Sequence, residues 1–206
     1  MRFRPMRWMC ASTLIAILIV TLACQSQSEK QRAAARQAMS EMKISTPSER
    51  GKYLVAIAGC SECHTPFKMG PNGPEPDMTR FLSGHPQDLK LPPPPALPPG
   101  PWVMTGAATN TAFAGPWGTT FAANLTPDLH TGMGVWTEKM FIDAMKTGKH
   151  MGGGRQILPP MPQPAYAQMT DDDLKAIYTY LRAIPKISNM VPDYIPPAKS
   201  PAPAKP

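Results

Sequence analysis

The segment Cys60-Ser61-Glu62-Cys63-His64 constrains the chain more than any other. C-x-x-C-H is the attachment signature of a c-type haem. Two thiols three positions apart can add to the two vinyl groups of one porphyrin as thioethers. The histidine beside the second thiol is then held beneath the ring, where its imidazole can ligate iron. Other uses of the pair ask for partners. Four-coordinate zinc needs two further Cys or His at compatible spacing. No second C-x-x-C exists, and His85, His130 and His150 are scattered through loop-like sequence. A thioredoxin-like pair wants a βαβ context, which is missing here. A disulfide between Cys60 and Cys63 remains open in an oxidising compartment. Motif and context together favour one covalent haem c.

That context begins at the N-terminus. Arg2, Arg4 and Arg7 form a basic n-region, and Ala11 to Leu22 is an apolar run too short to span a bilayer comfortably. Thr21-Leu22-Ala23-Cys24 follows, and a small residue before cysteine resembles a lipoprotein cleavage junction. Residues 1–23 are therefore expected to be an export signal and Cys24 a lipidated first residue. Cleavage nearby and an uncleaved anchor are the other readings, and all three export the domain. Removing residues 1–23 takes away three Arg and no acid, which lowers the formal charge from +7 to +4. No Lys/Arg cluster alternates with aromatics, so nucleic acid is not an expected partner. A mild preference for an acidic partner or anionic surface is all the charge implies.

Proline limits regular structure: the chain holds 27 Pro and 15 Gly among 206 residues. Residues 24–45 are polar and Ala-rich and read as a helical or disordered tether. The domain begins at Thr46-Pro47-Ser48-Glu49, a capping box with Pro at the first helical position. The helix from Glu49 to Ala58 carries Tyr53, Leu54 and Ile57 on one expected inner face and leads into Cys60. Gly51 leaves room for another helix to approach. Residues 70–120 hold little periodic signal. Pro92 to Pro99 reads as a surface polyproline II stretch, either a stiff loop or a docking ligand. Trp102 and Trp117 are candidates to cover a porphyrin edge or donate to a propionate, or simply to pack. Thr137 caps a second helix, Glu138 to Lys146, with Met140, Phe141, Ala144 and Met145 in its stripe and Gly148 at its end. Thr170 caps a third, with Leu174, Ile177, Tyr178 and Leu181 at helical spacing and Pro185 beyond it. Residues 191–206 are Pro-rich and expected to be a disordered or extended tail.

A haem iron with a histidine on one face leaves a second face to fill. Met161 stands between Pro160 and Pro162, 97 residues after His64. Proline fixes φ, so such a loop loses little entropy in presenting a thioether. Met151 and Met169 are rivals, and His150 is the candidate for a bis-histidine iron. Arg155 is a candidate partner for a propionate.

At this point a resemblance emerges. A helix entering C-x-x-C-H, the Pro-Met-Pro loop, and a last helix with Leu174, Ile177, Tyr178 and Leu181 resemble class I cytochrome c. Asn124-Leu125-Thr126-Pro127-Asp128, Thr131-Gly132-Met133-Gly134 and Trp136-Thr137 are similar to segments in cytochrome subunits of membrane-bound alcohol and sugar dehydrogenases. Phe141, Ala144 and Gly148 follow that pattern, as do Met161-Pro162, Tyr166, Met169-Thr170-Asp171 and Asp173-Leu174. The similarity spans roughly 46–185. The chain departs from those subunits in having one C-x-x-C-H, not three, and in its Pro-rich insert at 91–101. The resemblance implies Met161 as the distal ligand opposite His64, and a mainly α, cytochrome c-like domain with long Pro/Gly-rich loops over 46–190. The expected function is one-electron transfer between exported redox partners, with no catalysis and no small-molecule substrate. A subunit role in a dehydrogenase complex and a five-coordinate haem enzyme or sensor are the alternatives.

Overall fold

Helix α1 (Pro47–Ile57) starts where the capping box demands. Thr46 Oγ1 accepts from the Glu49 backbone N–H at 3.2 Å, and the Thr46 N–H donates to Glu49 Oε2 at 3.0 Å. These bonds satisfy amides that a helix start leaves without intrahelical partners. Gly59, in the left-handed region at φ 68°, then turns the chain into α2 (Cys60–His64). The structure is a computed structural model describing residues 25, 27, 29–33, 46–97 and 100–197. The chain divides into two units, Met1–Ser45 and Thr46–Pro206. In the first, the described residues 25, 27 and 29–33 are helical. The signal segment and Cys24 lie outside the described residues. Among the described residues no helix is long and apolar enough to cross a membrane.

The second unit is organised by α1 against the last helix, α5 (Asp171–Ala183). A Cβ at Gly51 would overlap the Ala176 carbonyl oxygen and sit 2.8 Å from Tyr180 Cβ. The missing side chain therefore sets the crossing, with room for a second helix as the sequence predicts, and the facing residues are Ala176 and Tyr180. The inner face of α1 is Gly51, Leu54 and Val55. Tyr53 and Ile57 are 48% and 61% exposed, which corrects the expected stripe by one position. Arg50 fastens the same crossing by donating Nε and Nη2 to Asp173 Oδ1 at 3.0 and 2.8 Å. Helix α3 (Glu138–Thr147) packs on α5 and on the short α4 (Gln163–Tyr166). Its Phe141, Ala144 and Met145 join Leu54, Leu174 and Ile177 in the core.

The expectation of a helical domain with long loops needs a correction between the first two long helices. Strands β1 (Phe67–Gly70) and β2 (Gly73–Pro76) pair as an antiparallel hairpin. Strands β3 (Thr105–Gly106), β4 (Ala112–Gly115) and β5 (Gly118–Phe121) form an antiparallel sheet in the order β3-β4-β5. Runs of two to four residues, rich in Gly, Thr and Pro, are too short to display an alternating pattern. At the start of the expected tail, residues 191–197 lie extended on the domain, and Ile195 pairs with Thr119 of β5. Residues 198–206 lie outside the described residues.

Buried polar side chains join these irregular segments. Asn189, fully buried, donates Nδ2 to the carbonyls of Ser83 and His85 at 2.7 and 2.8 Å. Its Oδ1 accepts from the Gln87 N–H at 2.9 Å and from Arg80 Nη2 at 3.3 Å. Asn124 donates Nδ2 to the Ile187 carbonyl at 2.8 Å, and Thr126 Oγ1 donates to Asn124 Oδ1 at 2.7 Å. Such groups are tolerated inside because their hydrogen-bonding capacity is met.

Candidate haem-binding cavity

A cavity of about 510 Å³ opens inside this frame, within the range of small-molecule and cofactor sites. Cys60, Cys63 and His64 of α2 line one side. Ala122 to Leu125 continue that wall. Phe141 and Met145 come from α3, and Leu174, Ile177 and Leu181 from α5. The loop 157–162 and residues 190–194 close the circuit. A second hollow, of about 630 Å³, lies among Pro94, Pro95, Leu97, Trp102 and Val103. Among the described residues that line it there is no thiol, imidazole, thioether or carboxylate, so the chemistry belongs to the first.

His64 is oriented from behind. Gly84 donates its N–H to the His64 carbonyl at 2.8 Å, and His85 donates its own to the Ala122 carbonyl at 2.9 Å. This brings the backbones of 84 and 122–123 so close that a Cβ at Gly84 would lie 2.7 Å from the Ala123 oxygen. That oxygen accepts from His64 Nδ1 at 2.7 Å. A proton on Nδ1 leaves the Nε2 lone pair free to bind a metal. Burial pushes the His64 pKa down, against a smaller upward effect of the Ala123 carbonyl, so the ring is held neutral as a ligand must be.

The folded domain does not activate the thiols by lowering their pKa. Burial pushes Cys60 up to about 11, with the neighbouring Cys63 adding to the rise. Burial and Glu62 raise Cys63 as well. Dithiol oxidoreductases need a lowered thiol pKa, so exchange catalysis is disfavoured. A metal site made of protein groups alone is not formed either: among the described residues no three His, Cys, Asp or Glu side chains gather to share an ion. Tyr166 donates its hydroxyl to the Ala58 carbonyl at 2.7 Å, at the entry to α2. Its pKa is pushed up to about 12, first by burial and then by the two thiols.

Met161 lines the same cavity as His64 and packs against the core. So do Met169, His150, Met151 and Arg155 line it, so every distal candidate read from the sequence reaches this space. His85 does not. It is buried elsewhere, with Nδ1 2.9 Å from Thr111 Oγ1. Trp102 and Trp117 are not among the lining residues; the cavity's tryptophan is Trp136, edge-on to His150 at 4.9 Å between ring centroids. Sequence reasoning also missed the wall formed by Met190 to Tyr194, because a Pro-containing segment beyond the last helix carries no periodic signal.

The donor set fits a haem. Two thiols beside a neutral imidazole, a thioether in the same mostly apolar space, and a guanidinium at its edge are the groups a covalently held iron porphyrin uses.

Comparison with known proteins agrees. Residues 48–185 match the family model for cytochrome c. The chain belongs to the cytochrome c family. It is 26% identical to the fructose dehydrogenase cytochrome subunit of Gluconobacter japonicus over 87% of its own length and 28% of the relative's. It is 30% identical to the gluconate 2-dehydrogenase cytochrome c subunit of Pantoea cypripedii, over 64% of this chain and 22% of that one. The alcohol dehydrogenase (quinone) cytochrome c subunit of Gluconobacter oxydans is 26% identical over 64% and 20%. The chain thus spans less than a third of the length of each of these relatives.

Proposed function

We propose that this protein is a mono-haem c-type cytochrome that carries single electrons between exported redox proteins. The observation that carries the reading is the lining of one cavity by Cys60, Cys63, His64 and Met161. In it, Cys60 and Cys63 would hold the porphyrin as thioethers, and His64 and Met161 would ligate its iron. When bound, haem c supplies a one-electron ferric/ferrous couple. The residues around it tune and protect that couple. Ala123 fixes the His64 tautomer. Phe141, Leu174, Ile177 and Leu181 keep the surroundings apolar, which disfavours the extra charge of the ferric state. Met161 favours the reduced iron for the same outcome, a raised potential. The protein transfers electrons and does not itself catalyse a substrate reaction. Its partner is a redox protein, and the names of the relatives favour a dehydrogenase. The domain is exported to the periplasmic side of a bacterial membrane and tethered by lipid on Cys24.

The test is direct. Purified protein run on a denaturing gel should keep its haem, and a redox titration should fit a single one-electron step. Haem released by acid–acetone extraction of the unaltered protein would overturn covalent attachment.

A further inference from the structure

Beyond the last helix the chain does not leave the domain. Asn189 is locked into the 80–87 loop by four side-chain hydrogen bonds, and its backbone N–H donates to Thr131 Oγ1 at 3.0 Å. Met190, Val191, Pro192, Asp193 and Tyr194 then all line the cavity. At the far end the Tyr194 hydroxyl donates to the Trp117 carbonyl at 2.6 Å. Ile195 and Thr119 exchange backbone hydrogen bonds of 2.8 and 3.0 Å. A five-residue segment is thus pinned at both ends and passes along the cavity between its fastenings.

The second fastening has a further consequence. The next residue of β5, Thr120, donates its hydroxyl to the Pro159 carbonyl at 2.9 Å. Pro159 belongs to the loop that presents Met161. Adjacent residues of one strand therefore hold the crossing segment and the methionine loop. The two fastenings are thus one peptide unit apart.

We propose that residues 190–194 are a strap that closes the haem cavity, with Asn189 and Tyr194 as positioning residues that fix its two ends. The strap keeps water from the side it covers and steadies the loop of Met161, and so holds the potential up. Pro192 suits it to this work, since a fixed φ limits how far a segment this short can bow outward. The proposal rests on the cytochrome reading above.

The experiment uses the holoprotein and Tyr194→Phe, which removes one hydroxyl and keeps the ring. Asn189→Ser is the second variant, at the other end. Hydrogen exchange is followed by mass spectrometry on peptides covering 187–195 and, as an internal control, α5. The reduction potential is measured on the same samples. The expected result is protection of 187–195 in the unaltered protein. In Tyr194→Phe, exchange there should be several-fold faster, α5 should be unchanged, and the potential should shift downward. The strap is refuted if 187–195 exchanges as fast in the unaltered protein as in denatured protein. It is equally refuted if exchange accelerates in both variants while the potential stays where it was. A preparation without covalent haem would instead remove the cytochrome reading, and the proposal with it, so the two failures are told apart by the visible spectrum taken first.

Discussion

Met161 sits in a loop whose neighbours on both sides are prolines, and it faces the same space as His64. Met151, its nearest rival, lies in the left-handed region at φ 55° beside a run of glycines, a poor platform for holding a soft ligand still. Met161→Ala should therefore abolish the far-red sulfur-to-iron band of the oxidised protein and lower the potential, whereas Met151→Ala and Met169→Ala should leave the band intact. Loss of the band with Met169→Ala instead would move the assignment. At this scale the sequence is legible where chemistry is written in residue type. Cys60, Cys63 and His64 announce themselves by spacing, and Met161 by its flanks. Asn189 does not, because a lone asparagine after a helix carries no signal of burial. Its importance lies in which carbonyls happen to meet it.

Among the elements, the crossing of α1 and α5 makes the sharpest predictions. Any side chain at Gly51 must displace the Ala176 backbone, which is not the movable end of a flexible group. Gly51→Leu should cost about 3 kcal/mol, at the upper end of overpacking effects, read as a fall in the denaturation midpoint. The Arg50–Asp173 pair on the same crossing responds to acid. The hydrogen bonds from Arg50, the largest cause, hold the Asp173 carboxyl below its ordinary range. Its contribution is therefore present above the unfolded pKa of about 3.9 and disappears as pH falls through the lower folded value. Asp173→Asn should lose stability at neutral pH and show a shallower decline below about pH 4, measured by thermal melts across pH. Both sides are partly exposed, so the effect is small. The three long helices were readable because Thr46, Thr137 and Thr170 mark their starts. The strands were not, because runs of two to four residues are too short to carry an alternating pattern, and the isolated Thr119–Ile195 bridge joins residues far apart in sequence.

Taken whole, the second unit separates its chemistry from its decoration. Just beyond the Pro-rich insert, Trp102 is 75% exposed and lines a hollow of its own, not the haem cavity. Trp102→Ala should leave the visible spectrum and potential unchanged and shift stability by no more than about 0.5 kcal/mol. A changed spectrum would mean that the two spaces communicate.

The crossing of α1 and α5 joins residues 123 positions apart, Arg50 and Asp173. Contacts of such long range form late, because the loop between them must first be closed. The walls of the cavity run from Ala58 to Tyr194, so a chain made from its N-terminus exposes Cys60 and Cys63 long before the last wall exists. The fold thereby leaves its two thiols reachable before its last walls assemble, and burial in the finished domain disfavours their ionisation, that of Cys60 above all. Order of assembly, not thiol activation, is what this topology offers the attachment reaction. A variant in which α5 docks too early, or a permuted chain that begins with it, should be made in full yet carry less haem.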